Sequence, residues 1–128
     1  RDLGLVSKLG LARWVSTPGE LSDQDLASLY RLSAGTCVLS HSEGFALPVA
    51  EALSCGAPVI VSEGGSAAEV AGPAGLSVNP HDPASVSEAL QQAIERGATM
   101  RQPALERSAE FTWERCAARI EEIWEELA

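Results

Sequence analysis

The sequence predicts an α/β fold in which a parallel sheet is joined by crossover helices. Two observations predict it. Short apolar runs alternate with stretches whose apolar residues recur at helical spacing, and strands separated by helices pair in parallel through crossovers. The runs themselves, "PVIV" above all, are apolar without alternation, as strands covered on both faces are.

The elements follow in order. "ARWVS" (Ala12–Ser16) reads as a strand. "SDQDLASLYRLSA" reads as a helix, with Ser22 or Asp23 as its cap and Leu26, Leu29, Tyr30, Leu32 and Ala34 as its apolar positions. "TCVLS" (Thr36–Ser40) is the second strand. "PVAEALSCG" is helical, with Pro48 in its first turn and Gly56 just past its end. "PVIVS" (Pro58–Ser62) is the third strand, Ser66–Ala71 a short helix, and "GLSVN" (Gly75–Asn79) the fourth strand. "DPASVSEALQQAIERG" starts at a capping Asp82, buries Val86, Leu90 and Ile94, and stops at Gly97. Another helical stretch covers roughly Met100 to Glu110. The last runs from Thr112 to the end, with Trp113, Cys116, Ala117, Ile120, Ile123, Trp124 and Leu127 on one stripe. That spacing predicts a docking face, with Glu114, Glu121, Glu122, Glu125 and Glu126 as a solvated one.

Composition narrows the function. The 128 residues are 45% hydrophobic, enough for the core of one domain, and no apolar run approaches the ~20 residues of a membrane span. Eighteen acids against nine bases give a net charge of −9, and Lys8 is the only lysine. Nucleic-acid binding is disfavoured, since its electrostatic part needs clustered Lys and Arg. Cys37, Cys55 and Cys116 are odd in number and widely spaced, as buried free thiols of a reducing compartment would be. The two histidines stand apart, too few for a zinc site.

Ligands of parallel α/β sheets bind at the carboxyl ends of the strands, and "HSEGFALP" lies there. Gly44 permits close backbone approach. The start of the following helix offers N–H groups and partial positive charge to an anion. Pro48 has no N–H, so Val49 and Ala50 supply donors, helped by Phe45, Ala46 and Leu47. Glu51, about one turn into the helix, can accept from a pair of ribose hydroxyls. Glu43, ahead of the turn, can meet a second hydroxylated group. A sugar attached to a nucleoside diphosphate fits that order. The plain alternatives are a first-turn glutamate favoured by the helix dipole and a loop acid in water.

"SHSEGFALPVAEALSCGAPVIVS" resembles the donor-site segment of retaining glycosyltransferases of the GT-B fold, glycosyltransferase family 4 (group 1). Its pattern is close to S-x-x-E-G-F-G-L-P-x-x-E-A-M-A-x-G-x-P-V-[IV]-x-[ST], and Glu43 and Glu51 match its two glutamates, the E-x7-E motif. "GGSAAEVAGPAGLSVNPHDPASVSEAL", "FTWERCAARI" and "GLARWVSTPGELSDQDLASLYRLSA" are similar to other stretches of that family, in the same order. The resemblance implies a Rossmann-like parallel sheet of about four strands with flanking helices, part of the C-terminal domain of a GT-B fold. Residues 1–128 would be the distal part of that nucleotide-sugar-binding domain, with the N-terminal acceptor domain and the first strands absent.

The same resemblance implies roles. Glu43 is catalytic, touching the transferred sugar. Gly44, Phe45, Ala46 and Leu47 bind that sugar and the diphosphate. Glu51 binds the ribose, and the loop Ser16–Leu21 lies near the base. No cofactor and no metal is implied. The parent would transfer a hexosyl group from a nucleoside-diphosphate sugar with retention of configuration, to a glycan, lipid or small molecule held by the absent domain. The fragment alone would be inactive, cytoplasmic, or peripheral at the inner face of the membrane in the full-length protein. Other readings are a non-catalytic sugar-nucleotide-binding or interaction module and a sugar-nucleotide epimerase of similar fold.

The sequence departs from the pattern at Ala46, usually Gly, and Leu53, usually Met. An Arg and a Lys that clamp the diphosphate in the family have no counterpart near the site. In the 3-2-1-4-5-6 strand order, the strands present would be the third to sixth. Without the first two, Ala12–Ser16 either pairs directly with Thr36–Ser40 or leaves a gap of ~10 Å, as strands lie ~4.8 Å apart. Exposed edges would then invite self-association.

Overall fold

The computed structural model describes residues 2–127, with side chains from residue 4 onward. Three parallel strands form the sheet: β1 (Thr36–Val38), β2 (Val59–Ser62) and β3 (Leu76–Val78), in that spatial order. Thr36 pairs with Val59 and Val38 with Val61; Ile60 pairs with Leu76 and Ser62 with Val78. The helices are α1 (Asp2–Lys8), α2 (Asp23–Leu32), α3 (Leu47–Ser54), α4 (Gly65–Ala71), α5 (Pro83–Ser108) and α6 (Trp113–Leu127). The parallel order β1-β2-β3 is that expected of the last three strands of the doubly wound arrangement.

The fourth expected strand is absent. Ala12–Trp14 is a 3-10 turn, and residues 11 to 20 are all exposed. Val15, just after the turn, has extended backbone. A strand exists through its ladder, and "ARWVS" finds no partner: it does not pair with β1, whose outer edge stays open among the described residues. Helix α1, which no sequence signal announced, precedes that turn.

The core lies where α3 and α4 cover one face of β2. Val49, Ala52, Leu53, Val59, Val61 and Ala71 are fully buried there. Ile60 points to the other face, against Ala89 and Ala93 of α5. All four residues of β2 are buried, as an unbroken apolar strand requires. Helix α3 ends in a complete Schellman motif: Gly56 takes φ +72°, its N–H donates to the Leu53 carbonyl, and the Ala57 N–H donates to the Ala52 carbonyl. Ser22 caps α2 by accepting from the Asp25 N–H, and Asp82 caps α5 by accepting from the Ala84 N–H.

Helix α5 corrects two expectations. It runs unbroken through Gly97 and Pro103, because Met100 and Ala104 beyond them are buried in the core. Such burial outweighs the ~1 kcal/mol that a mid-helix glycine costs. Its buried stripe is Ala89, Ala93, Met100 and Ala104; Leu90 and Ile94 face outward, and Val86 is half-buried. Small side chains let the helix sit close: a Cβ on Gly35 would lie 3.2 Å from the Ala93 Cβ. In α2, Leu26 and Tyr30 are half-buried while Leu29 and Leu32 are exposed.

The stripe of α6 is not docked. Trp113, Ile120, Ile123, Trp124 and Leu127 are exposed, and no described residue of the helix is buried. The thiols are free, but only Cys55 is partly buried; Cys37 and Cys116 are exposed, because the one lies on the open edge strand and the other on α6. Partial desolvation still pushes the Cys37 thiol up. No helix among the described residues is long and apolar enough to cross a membrane.

Candidate functional site

The loops after β1, β2 and β3 gather at the carboxyl end of the sheet, and the predicted residues lie on the first of them and on α3. Glu43 sits in the loop after β1. The Ser40 Oγ donates to its Oε1 at 2.6 Å, and the Ser66 Oγ of α4 donates to its backbone carbonyl at 2.8 Å. The second carboxylate oxygen has no hydrogen-bond partner among the described residues. Glu51 is the fifth residue of α3 and exposed, about one turn in as expected. The Tyr30 hydroxyl of α2 donates to its Oε2 at 3.2 Å, and its Oε1 likewise has no protein partner. Each acid is thus held by one hydroxyl and keeps one oxygen open, a condition suited to accepting from a ligand hydroxyl.

Between them runs the turn Gly44–Leu47. Among the described residues, none of its four N–H groups donates to a protein acceptor. A Cβ on Gly44 would meet nothing within 4 Å, so the space above its backbone is open. Ala46 is the N-cap of α3, with φ 64° and ψ 56°, and the only non-glycine residue at positive φ among the described residues. An L-residue in that region costs ~1–2 kcal/mol, and such outliers gather at ligand sites. The Val49 N–H, expected as a free donor, is instead taken by the Ala46 carbonyl at 2.9 Å. The αL turn at Ala46 folds that carbonyl back over the first helical turn.

Four supporting residues escaped the sequence reading. Tyr30 lies 21 residues from the carboxylate it holds, and Ser66 lies 23 residues from the Glu43 carbonyl it donates to. A fifth, Ser40, stands at the serine that opens the S-x-x-E pattern. Phe111 meets Phe45 edge-on, with ring centroids 5.6 Å apart, and the Arg107 guanidinium lies over Phe111 at 4.8 Å. Arg107 also donates to the Val70 and Glu69 carbonyls at the end of α4 and pairs with Glu110. The available signal was a polar handle on an otherwise apolar position: a half-buried tyrosine needs a partner for its hydroxyl. Burial first, then the hydrogen bond and charge of Glu51, push the Tyr30 phenol up to about 12.

A cleft of about 880 Å³ opens beside the turn, lined by Phe45, Leu47, Ala50, Phe111, Arg115 and Arg119 among others. It is mostly apolar and touches neither Glu43 nor Glu51. Helix α6 brings Arg115 and Arg119 to this cleft, beside Phe45 and Leu47. The His41 and His81 rings stack with centroids 4.9 Å apart, bridging the loops after β1 and β3, so His41 is an exposed loop residue with a neighbour. Among the described residues no three His, Cys, Asp or Glu side chains gather closely enough to hold a metal ion. Ser62, at the carboxyl end of β2, keeps a buried Oγ with no protein partner. The loop Ser16–Leu21 carries no regular element.

A parallel sheet with its loops so arranged, and a turn of open N–H groups leading into a helix, defines a Rossmann-like architecture. The family "Glycosyl transferases group 1" matches residues 4–110, and the chain belongs to it. It is 36% identical to an O-antigen chain mannosyltransferase B of Escherichia coli over 83% of this chain and 29% of that one. It is 32% identical to a D-inositol 3-phosphate glycosyltransferase of Corynebacterium diphtheriae, over 97% of this chain and 30% of the relative. A solved structure of sucrose-phosphate synthase from Thermosynechococcus elongatus superposes with a TM-score of 0.87 at 32% identity, over 99% of this chain and 33% of its own. The chain therefore spans about a third of the length of these relatives, as a part of the GT-B fold. The family match ends at Glu110, before α6 begins.

Proposed function

We propose that residues 1–128 are the distal part of the donor-binding domain of a retaining glycosyltransferase of family 4. Its parent moves a sugar from a nucleoside-diphosphate sugar to an acceptor glycan, lipid or small molecule held by a domain outside this chain. The observation that carries the reading is the turn itself: four open N–H groups, a strained Ala46 and a helix start, flanked by two carboxylates that each keep an oxygen free. In this reading the N–H groups of Gly44, Phe45, Ala46 and Leu47 bind the diphosphate and the sugar next to it. Charge building on the leaving diphosphate is met by these fixed dipoles, which need no reorganisation as the bond breaks. Glu43 accepts from hydroxyls of the transferred sugar and orients it, while Glu51 accepts from the ribose diol. The base lies towards the loop Ser16–Leu21. The family resemblance implies transfer with retention and without a cofactor or metal.

Further parts of the reading rest on sequence likeness and composition. The chain alone does not complete transfer, because its relatives are about three times longer. It works in the cytoplasm, or at the inner face of the membrane within the full-length protein, and does not bind nucleic acid. Its open sheet edge at β1 is a surface for self-association.

Calorimetric titration of the folded chain with UDP, GDP and ADP, free and carrying sugars, tests the reading. One of them is expected to bind, and Glu51→Ala to weaken it by about tenfold or more, the worth of hydrogen bonds to a charged group. A folded chain that binds none of them, or binds equally well after Glu51→Ala, would overturn the proposal.

A further inference from the structure

Glu51 is an exposed side chain on a helix, and nothing in α3 itself holds its carboxylate. The contact that does comes from α2. Tyr30 is half-buried against the core that α3 covers, so its ring cannot follow the carboxylate; the carboxylate must come to it. The phenol donates to Oε2, while Oε1 meets no protein donor. At 3.2 Å the bond is long for two oxygens, as site hydrogen bonds often are before a ligand tightens them.

We propose that Tyr30 is a positioning residue of the nucleoside-diphosphate site: by fixing Glu51 through Oε2, it keeps Oε1 available to the ribose hydroxyls. This rests on the ribose role proposed for Glu51. A free glutamate on a helix surface would have to surrender its rotamer freedom when the ligand binds. Tyr30 removes that freedom beforehand. Its hydroxyl remains a donor across the working range, since burial and the neighbouring Glu51 and Cys55 oppose its ionisation. The assignment also accounts for a hydroxyl where packing alone asks for a phenyl ring.

Two measurements test it, both on the 128-residue chain. Tyr30 is the only tyrosine, so the tyrosinate absorbance belongs to it alone. Glu51→Gln is expected to raise the tyrosinate fraction near pH 11, with the fold followed by circular dichroism. An unchanged titration would show that the contact is not made. UDP, GDP and ADP are then titrated into the wild type, Tyr30→Phe, Glu51→Ala and the double variant, beside the 2′,3′-dideoxy form of each nucleotide. Tyr30→Phe keeps the ring and its packing. It is expected to weaken ribonucleotide binding by roughly 3- to 10-fold, the worth of one such hydrogen bond. Dideoxynucleotide binding should not change, and Tyr30→Phe should add nothing once Glu51 is Ala. Equal losses for both sugar forms would reduce Tyr30 to a packing residue and overturn the assignment. No loss in Tyr30→Phe beside a clear loss in Glu51→Ala would overturn it while leaving the proposed function standing. If Glu51→Ala changes nothing, or no nucleotide binds, the proposed function falls and the role of Tyr30 falls with it.

Discussion

At the scale of single residues, Tyr30 ties down Glu51 and Ser40 ties down Glu43, each through one hydroxyl. Glu43 and Glu51 could be singled out because carboxylates beside a glycine turn and a helix start suit a sugar nucleotide. The holder of Glu51 could not, since a hydrogen bond across 21 residues depends on how helices pack, whereas Ser40 holds Glu43 from three residues away. Ala46 shows the opposite case. Its departure from a pattern glycine marks a place where the backbone needs positive φ, and the structure places φ at 64° there. Tyr30 carries a pH signature of its own. Its folded pKa lies above the ordinary tyrosine value of 10, so the fold prefers the neutral phenol. That stability is complete below pH 10 and is lost as pH rises towards 12. Cys37, also raised, adds a loss that begins nearer 9. Urea unfolding of the wild type should therefore show a falling midpoint across this window. Tyr30→Phe should flatten its upper part and leave the thiol-linked part in place.

At the scale of elements, propensity and periodicity identified most helices and three strands, and failed where tertiary context decided. "ARWVS" has strand composition, yet a strand needs a neighbour, and sequence spacing carries no information on which neighbour is present. Glycine is a local stop signal and divides α5 at Gly97 in the sequence, while the burial of Met100 and Ala104 is a long-range fact. The large apolar residues of α5 point to a stripe of Val86, Leu90 and Ile94; close packing on the sheet selects alanines instead. The helical glycine gives a clean test. A Cβ on Gly97 would meet only the Pro58 Cγ, at 3.5 Å, an ordinary contact. Gly97→Ala should stabilise the chain by about 1 kcal/mol through helix propensity. A loss of stability in chemical denaturation would mean that Gly97 is kept for closer packing than the structure shows.

At the scale of the whole molecule, the chain is a compact sheet-and-helix body with α1 and α6 standing off it. Periodicity correctly placed α6 and its stripe; what covers a stripe is not written in the segment that bears it. The three tryptophans, Trp14, Trp113 and Trp124, are 73%, 86% and 75% exposed. Their emission should match that of free indole in water and be fully quenched by acrylamide. A blue-shifted, protected emission would show that α6 folds back or is buried by a second molecule in solution. The attachment of this helix has a mechanical consequence. Phe111 lies two residues before α6, under the Arg107 guanidinium and edge-on to Phe45, while Arg107 is tied to the end of α4. Phe111 is therefore a fulcrum and α6 a lever arm of fifteen residues. The pivot is seated on the body from two sides, by the Arg107 knot at the end of α4 and by the packing of Phe111 against Phe45 and the core, so the tilt of the arm is set at one aromatic side chain.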